Sequence, residues 1–464
     1  MNEKIHEYIY SKREEMTEAL CRLVRIPSIK SEAKEGAPYG EACRKVLAEC
    51  KKLFSEHGFE CELHQKYLLA YSGNHTSKRI IATLAHADVV PADEEKWTKC
   101  KPFEPALIDG YLYGRGVHDD KAGIIIMLYA AKAIRELSLP FASQLTMFVG
   151  ADEESGMDDV KAFVAEQPMP DIGLVPDSGF PVKRGETSLM QFFAVGGREL
   201  TDILALEGEG VFNRVLADVK LTLRRSEKLE AELTERLSEY LTLEKDGDTL
   251  ILTAKGITKH AASPEGSVNA MLVAAKALAE CDSFADRETM ADVAALIEGG
   301  CGISERDFGG EGQFAKPTCA NGIARLSEGR IELAFDTRFL KRVPHEELCA
   351  IATEKMARYG FTYRHHKLFE GFLLAEDDGL VTAMLGEYKR FTGNDGKPFV
   401  GAGGTYSRAL KRSVSVGTTL GGTRPDIPDG HGGMHQPDEY MEIDAFLRAA
   451  ELFCRMLVRC DAVE

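Results

Sequence analysis

The chain has 464 residues, of which 44% are hydrophobic and 28% charged, and its formal net charge is -17. This length allows two or three domains, and the composition is that of an ordinary globular protein, which excludes disorder as the default. The acidic charge argues against nucleic acid and against an anionic membrane as partners, whereas clustered carboxylates that bind divalent cations would account for part of it.

Localisation follows from three features. No segment approaches ~18 uninterrupted apolar residues, so we expect no membrane span. Residues 2–4 are polar or charged, and they begin an amphipathic stretch without the apolar core of a secretory signal. The 11 cysteines are odd in number and include no Cys-x-x-Cys pair, unlike a secreted disulfide framework. We therefore expect reduced cysteines in a cytoplasmic protein.

The first third of the chain predicts alternating helices and strands. Apolar residues recur at helical spacing through residues 1–65, and Pro27 should end the first run. Short apolar stretches predict buried strands at residues 79–85 and 144–150, and residues 121–137 predict a helix between them. This alternation favours a largely parallel sheet covered by helices.

The middle of the chain, from about residue 185 to about residue 368, has a different character. Residues 219–223 and 331–335 alternate as strands do, and residues 268–278 predict a helix. An apolar-faced helix is predicted at residues 443–458.

Two polar motifs follow the predicted strands directly. His86-Ala87-Asp88 comes after the first strand, and Asp152-Glu153-Glu154 comes after the second. Ligands gather at the carboxyl ends of strands in open α/β sheets. Alone, the first motif could be a surface pair and the second a solvated acidic loop, although cations are the simplest reason to keep three acids together.

Three further motifs are weak when each is taken by itself. Asp119-Asp120 follows a glycine-flexed turn, where a carboxylate could merely cap the next helix. Asp177 follows an apolar run, and His435 follows a glycine-rich approach. Either residue could be structural.

Together, in this order and spacing, the motifs resemble those of the aminoacylase and carboxypeptidase family of dinuclear zinc peptidases. The resemblance extends from near residue 80 to near residue 440, and its joint pattern is highly specific. Within that family the chain looks most like the bacterial peptidase V dipeptidase branch, on three motifs: Pro176-Asp177-x-x-Phe180-Pro181-Val182, Gly403-Gly404-Thr405-Tyr406-Ser407-Arg408-Ala409-Leu410 and Met434-His435-Gln436.

The resemblance implies an α/β fold, with a catalytic domain that has a mixed, largely parallel sheet covered by helices. This domain would be in two pieces, residues 1–184 and residues 369–464. An α+β lid domain would be inserted between them at residues 185–368.

The resemblance also implies a role for each residue of the site. His86 and Asp177 would bind one metal ion, Glu154 and His435 would bind the other, and Asp119 would bridge both. Asp88 would orient His86, Glu153 would be the general base, and the Asp119–Asp120 peptide bond would be cis.

This assignment is chemically coherent. Imidazole and carboxylate ligands suit zinc, and two close ions can hold a bridging water whose proton a neighbouring carboxylate removes. We expect two divalent metal ions per chain, with Zn2+ favoured and Mn2+ and Co2+ as alternatives.

Substrate contacts are implied in the same way. His260 in the inserted segment would stabilise the oxyanion, Asn213 would contact substrate, and Arg338 would hold its carboxylate through a bidentate fork. Gly404, Thr405 and Arg408 would line the same pocket. Asn213 could instead be an ordinary turn residue, His260 could cap a helix start, and Arg338 could pair with a surface acid.

The predicted function is metal-dependent hydrolysis of the amide bond in short peptides, dipeptides above all, that carry a free C-terminal carboxylate. The alternatives are an N-acyl-amino-acid deacylase or carboxypeptidase of the same architecture and a non-catalytic metal-binding protein, which the presence of Glu153 disfavours. The chain lacks the glycine-rich motifs of a nucleotide-binding enzyme, so that function is not supported. The expected partner is a small peptide, with no nucleic acid or membrane, and the chain would be a monomer or homodimer.

Overall fold

A computed structural model describes residues 1–308 and 314–464, and within them it has eleven α-helices and twenty strands. The described chain divides into two units. The first unit comprises Met1–Gly185 and Leu374–Glu464, and the second unit comprises Glu186–Leu373. Each unit has its own hydrophobic core.

The helices are α1 (Asn2–Ser11), α2 (Arg13–Val24), α3 (Glu41–Glu56), α4 (Lys121–Glu136), α5 (Asp158–Glu166), α6 (Glu227–Thr234), α7 (Ala270–Ala279), α8 (Arg287–Glu298), α9 (His345–Arg358), α10 (Gly379–Thr392) and α11 (Ile443–Cys460).

The strands are β1 (Glu60–Leu63), β2 (Leu68–Gly73), β3 (Ile80–His86), β4 (Ala106–Ile108), β5 (Tyr111–Tyr113), β6 (Gln144–Gly150), β7 (Ile172–Ser178), β8 (Lys183–Glu186), β9 (Ser188–Gly196), β10 (Ile203–Gly208), β11 (Asp218–Arg224), β12 (Leu241–Asp246), β13 (Thr249–Lys255), β14 (Thr318–Ser327), β15 (Arg330–Phe339), β16 (Phe361–Phe369), β17 (Phe372–Leu373), β18 (Phe399–Gly401), β19 (Ser413–Gly417) and β20 (Tyr440–Glu442).

The main sheet of the first unit is mixed. Its strand order is β1-β2-β6-β3-β7-β19-β8, with β18 beside β8. The central strands β6, β3, β7 and β19 run parallel to one another. Strands β1 and β2 on one side, and β8 on the other, pair antiparallel. The parallel part therefore brings the carboxyl ends of four strands to one edge.

Helix α4 forms the centre of the core of the first unit. Its residues from Lys121 to Ile134 are all buried, and it packs against β3 and against α11. A helix that is apolar on all sides is stable only inside a core. Because the buried start of α4 follows Asp119 and Asp120 directly, the packing of this helix also limits where those two carboxylates can lie.

The second unit contains one eight-stranded antiparallel sheet, in the order β12-β13-β11-β10-β14-β15-β9-β16. Helices α7 and α8 pack against each other, and α7 also packs on β11 and β13. The buried positions of β11 and β13 alternate along each strand, which is the pattern of a sheet with one face on a core.

The predicted elements are confirmed at β3, β6, α4, α7, α11, β11 and β15. The prediction of mainly helix through residue 65 is wrong at Glu60–Leu63, which form β1. This edge strand alternates exposed and half-buried residues, so it lacks the continuous apolar run that identified β3 and β6. No helix within residues 1–308 and 314–464 is long and apolar enough to cross a membrane.

Candidate metal centre

Strand register brings three of the sequence motifs to one edge of the main sheet. His86 pairs with Gly150 across β3 and β6, so the residues that follow these two strands are neighbours. On the other side of β3, Thr83 pairs with Leu174 of β7. Asp177 lies three residues beyond Leu174, as His86 lies three beyond Thr83. Side chains that are distant in sequence therefore meet because parallel strands end together.

The five predicted metal ligands lie in one cluster. His86 Nε2 is 3.0 Å from Asp119 Oδ1 and 4.0 Å from Asp177 Oδ2. His435 Nε2 is 3.0 Å from Glu154 Oε1 and 3.2 Å from Asp119 Oδ2. The two oxygens of Asp119 thus face the two histidines, one each, which is the arrangement that a shared ligand would need.

Asp88 joins the two strand ends. Its carboxylate accepts hydrogen bonds from the backbone amides of Glu153 at 3.2 Å and Glu154 at 3.1 Å. His86 Nδ1 lies 3.0 Å from the carbonyl oxygen of Asp88 and 3.5 Å from its carboxylate. The residue therefore restrains both the acidic loop and the imidazole ring, and its carbonyl makes the shorter contact with the ring.

Two carboxylate oxygens of the cluster are buried without a hydrogen-bond partner among the described residues. They are Glu153 Oε1 and Asp120 Oδ1. Burial raises the pKa of both carboxyl groups well above the usual range, and the negative charge of Asp177 adds to the shift. Such oxygens are costly to bury unless something positive lies beside them.

The pKa values of the other candidate ligands are shifted as well. Burial raises the pKa of Asp177 to about 7, and the charge of Asp119 contributes. The contacts with Asp119 and Glu154 raise the pKa of His435 to about 10. Although burial opposes it, hydrogen bonds from the two histidines hold the pKa of Asp119 far below its usual value. The acids crowd together beyond what two histidines can neutralise, so this donor set fits divalent cations.

Asp119 and Asp120 are the two candidates for a ligand at the start of α4. Two groups of side chains could each hold an ion, namely His86 with Asp120 and Asp177, and His86 with Asp119 and Glu154. The peptide bond between the two aspartates is cis, as the resemblance implied. Asp119 alone touches both histidines, whereas Asp120 Oδ2 accepts a hydrogen bond from the backbone amide of His86.

The residues predicted to line a carboxylate pocket in the first unit lie together. A side-chain atom added at Gly404 would come within 2.2 Å of the guanidinium of Arg408, so this arginine lies directly on the glycine backbone. Thr405 is buried, and its hydroxyl accepts a hydrogen bond from the amide of Ser407. Between them, the Tyr406 ring stands edge-on to His86 at 6.3 Å.

The predicted substrate residues of the second unit are Asn213, His260 and Arg338. Arg338 donates to the buried Asp336 at 2.6 Å, so its partner is not a surface acid. Burial lowers the pKa of His260, and the positive charge of Arg338 adds to this shift. Asn213 is exposed, and its carbonyl accepts the amide of Ala261.

Sequence reasoning did not single out three charged residues that support the cluster, Glu439, Arg115 and Asp159. Glu439 and Arg115 form a buried ion pair at 2.7 Å. Asp159 accepts hydrogen bonds from the amides of residues 151 and 152 and from the Tyr406 hydroxyl. Each lies within a few residues of a predicted ligand or substrate contact in the sequence. A charged residue so close to a candidate ligand was the one sequence signal that could have identified them, although the sequence does not show which partner each of them binds.

Comparison with known proteins agrees with this geometry. Peptidase family M20/M25/M40 matches residues 82–459, which include every candidate metal ligand. The chain belongs to this family. It is therefore an M20 enzyme, a metal-dependent peptidase, and the structure contains candidate metal-binding residues.

Individual relatives cover nearly the whole chain. The "Putative dipeptidase YtjP" of Bacillus subtilis (strain 168) is 26% identical over 472 residues, which are 97% of this chain and 98% of that protein. Human carnosine dipeptidase 1 has a similar structure with a TM-score of 0.60 at 14% identity, covering 100% and 99% of the two chains. The dipeptidase Dug1p of Saccharomyces cerevisiae has a TM-score of 0.59 at 15% identity, with the same coverage. These structures show that this M20 chain has the fold of the family.

Proposed function

We propose that this M20 enzyme is a dipeptidase that holds two divalent metal ions and hydrolyses short peptides with a free C-terminal carboxylate. The observation that carries the proposal is the cluster of five candidate ligands around Asp119, with a buried and uncommitted Glu153 oxygen beside it. The similarity to the Bacillus subtilis protein named as a dipeptidase supports the substrate class.

Five residues would hold the ions. We assign His86 and Asp177 to one ion, Glu154 and His435 to the other, and Asp119 to both. Divalent ions at such a site would polarise the scissile carbonyl and would lower the pKa of water towards neutrality. The protein contributes the fixed positions of these side chains, because three of the ligands lie on or beside strand ends within the core.

Glu153 is the proposed general base. Its carboxyl group is buried beside the ligands, and its Oε1 has no partner in the described structure. A carboxylate that is not engaged by the protein can accept a proton from the attacking water and pass it to the leaving amine. Burial raises the pKa of Glu153, which would make its carboxylate a stronger base for removing a proton from the attacking water.

Substrate recognition is assigned to six residues. In the first unit, Gly404, Thr405 and Arg408 form one cluster that could bind the peptide carboxylate. In the second unit, we assign the oxyanion to His260, the carboxylate to Arg338 and a further contact to Asn213. That the second unit acts as a lid is part of the proposal.

The same fold and site could serve a deacylase or a carboxypeptidase. A panel of dipeptides, N-acylated amino acids and longer peptides, assayed with the purified enzyme, separates these activities because a deacylase needs a blocked amino group. Metal content is measured on the same sample. We expect two ions per chain, rapid cleavage of free dipeptides, and loss of activity with a chelator that is reversed by Zn2+, Mn2+ or Co2+.

Two results would overturn the proposal. Preferential hydrolysis of N-acylated amino acids would identify the enzyme as a deacylase. Tight metal binding without hydrolysis of any peptide or amide in the panel would identify a metal-binding protein that has lost its activity.

A further inference from the structure

Glu439 is a buried carboxylate that binds the turn leading to Asp119. Its Oε2 accepts hydrogen bonds from Arg115 Nη1 at 2.7 Å and from the Gly116 amide at 3.0 Å. Its Oε1 accepts the amides of His118 at 3.0 Å and Asp119 at 3.2 Å. The side chain is 1% exposed, so these four donors replace water entirely. Charge-assisted hydrogen bonds of this kind are among the stronger ones in proteins.

The turn that receives these bonds lies outside regular secondary structure and joins β5 to α4. Gly114 and Gly116 both have positive φ, of 155° and 85°, a conformation that few other residues adopt. The Gly114 amide also donates to the carbonyl oxygen of Glu439. One residue thus holds the turn at both ends, up to the amide of Asp119 itself.

Glu439 also belongs to the loop that carries His435. His435 and Asp438 have positive φ values of 64° and 52°, which non-glycine residues rarely adopt without support from their surroundings. That support comes from Asp438, whose carboxylate accepts hydrogen bonds from Thr98, Lys99 and His431. Residues 438 and 439 therefore tie the His435 loop to the rest of the first unit.

We infer that Glu439 is a positioning residue that sets Asp119 and His435 at the separation which a shared metal ion requires. It does so by joining the backbone of the turn that leads to Asp119 to the loop that carries His435. Arg115 forms a buried ion pair with this carboxylate, which offsets the cost of removing its charge from water. The inference rests on the proposed metal site and assigns no contact between Glu439 and metal or substrate.

The test compares Glu439→Gln with a matched control. A glutamine amide would face two of the four N–H donors with hydrogens of its own, so it would disrupt the turn at constant size. Glu451→Gln is the control, because Glu451 is also buried in the first unit and paired, with His6 and Arg455, on a helix that carries no candidate ligand. The affinity of each full-length protein for Zn2+ is measured by competition with a chelator, and metal content and the melting temperature of the metal-free protein are recorded.

We expect Glu439→Gln to bind Zn2+ about 10- to 100-fold more weakly than the parent, as for other residues that orient metal ligands. Glu451→Gln should bind Zn2+ as the parent does, even if both variants melt earlier. A second variant, Glu439→Asp, keeps the charge but is one methylene too short to reach all four donors. It should fold and also bind Zn2+ more weakly.

Parent-like Zn2+ affinity in both Glu439 variants would overturn the inference. If Glu439→Gln did not fold and Glu439→Asp bound Zn2+ normally, or if neither variant folded, the residue would serve stability alone. Absence of Zn2+ binding by the parent protein would instead refute the proposed function, so the two failures are distinguishable.

Discussion

The two halves of the metal cluster are built differently. The strand half consists of His86, Asp177 and the Glu153–Glu154 pair, which lie on or directly after β3, β7 and β6. The loop half consists of Asp119 and His435, which lie in irregular segments. The His86 side chain is 1% exposed and that of His435 is 52% exposed.

The difference shows how each half acquires its rigidity. On the strand half, the hydrogen bonds of the parallel sheet and its buried residues set the positions of the side chains. On the loop half no such ladder exists, and buried carboxylates of residues 438 and 439 hold the backbone through its N–H groups. Ligands on strands need register, whereas ligands on loops need dedicated polar partners.

The largest effect should come from Asp119, the loop residue whose carboxylate contacts the histidines of both halves. We expect Asp119→Ala to lose both metal ions, with affinity falling more than the ~10- to 100-fold typical of an outer partner, because two close cations repel without a bridging anion. Metal content and turnover report the loss. His118→Ala is the control and should keep both ions. Tight binding of two ions by Asp119→Ala would move the bridging role to Asp120.

A substitution on the strand half should separate metal binding from chemistry. We expect Glu153→Gln to reduce kcat by ~100- to 10,000-fold while both ions stay bound, because only the general base is removed. The neighbouring Glu154→Gln should instead weaken the binding of one ion. Near-normal turnover of a metal-replete Glu153→Gln enzyme would rule out this base.

Substitutions in the second unit test whether the reaction needs residues outside the metal cluster. We expect His260→Ala to lower kcat by ~100- to 1,000-fold with metal content intact, as for loss of an oxyanion donor. Arg338→Ala should raise KM for free dipeptides and change little for amidated ones. If both variants matched the parent and long peptides were cleaved as well as dipeptides, the lid assignment would be abandoned.

Asp88 allows the strand half to be compared directly with Glu439. In Asp88→Asn only one side-chain oxygen remains to accept hydrogen bonds from the backbone amides of Glu153 and Glu154. The new NH2 group would face the second of these amides with hydrogens of its own. We expect Zn2+ affinity to fall by ~10- to 100-fold, as on the loop side. An unchanged affinity would indicate that the sheet alone positions these ligands, which would widen the difference between the halves.

The smallest effect concerns the stability of the loop half and its pH dependence. Burial would raise the pKa of Asp438, but hydrogen bonds from Lys99 and Thr98 outweigh it and hold the pKa below the usual 3.8. A depressed pKa stabilises the fold above about pH 4, and this stabilisation is lost as the pH falls through the folded-state value.

Asp438→Asn should therefore lower the free energy of unfolding at pH 7 by about 1.5–3 kcal/mol, the usual range for hydrogen bonds to a charged group. Urea denaturation of the metal-free proteins measures the difference, which should narrow below pH 4. A difference that stayed constant with pH would mean that the charge of Asp438 is not responsible.

Much of the fold and the candidate ligands could be predicted from local sequence. Strands β3 and β6 and helix α4 are long apolar segments, and their burial follows from that pattern alone. His86 and Glu154 stood out because they lie at or just after the ends of β3 and β6, whereas the full set of candidate ligands rested on the resemblance of the combined motifs to a known family. The edge strand β1 was missed because a half-exposed strand has no such signal.

The pairing of residues was decided only by the tertiary structure. Sequence placed His86, Asp119 and His435 in separate motifs, but the fold brings Nε2 of both histidines within 3.2 Å of the Asp119 carboxylate. Glu439 appeared in the sequence as one acid among 74 acidic residues. Its role arises because folding buries it against four N–H donors more than 300 residues away in the chain, and a buried carboxylate must find such donors wherever the fold places them.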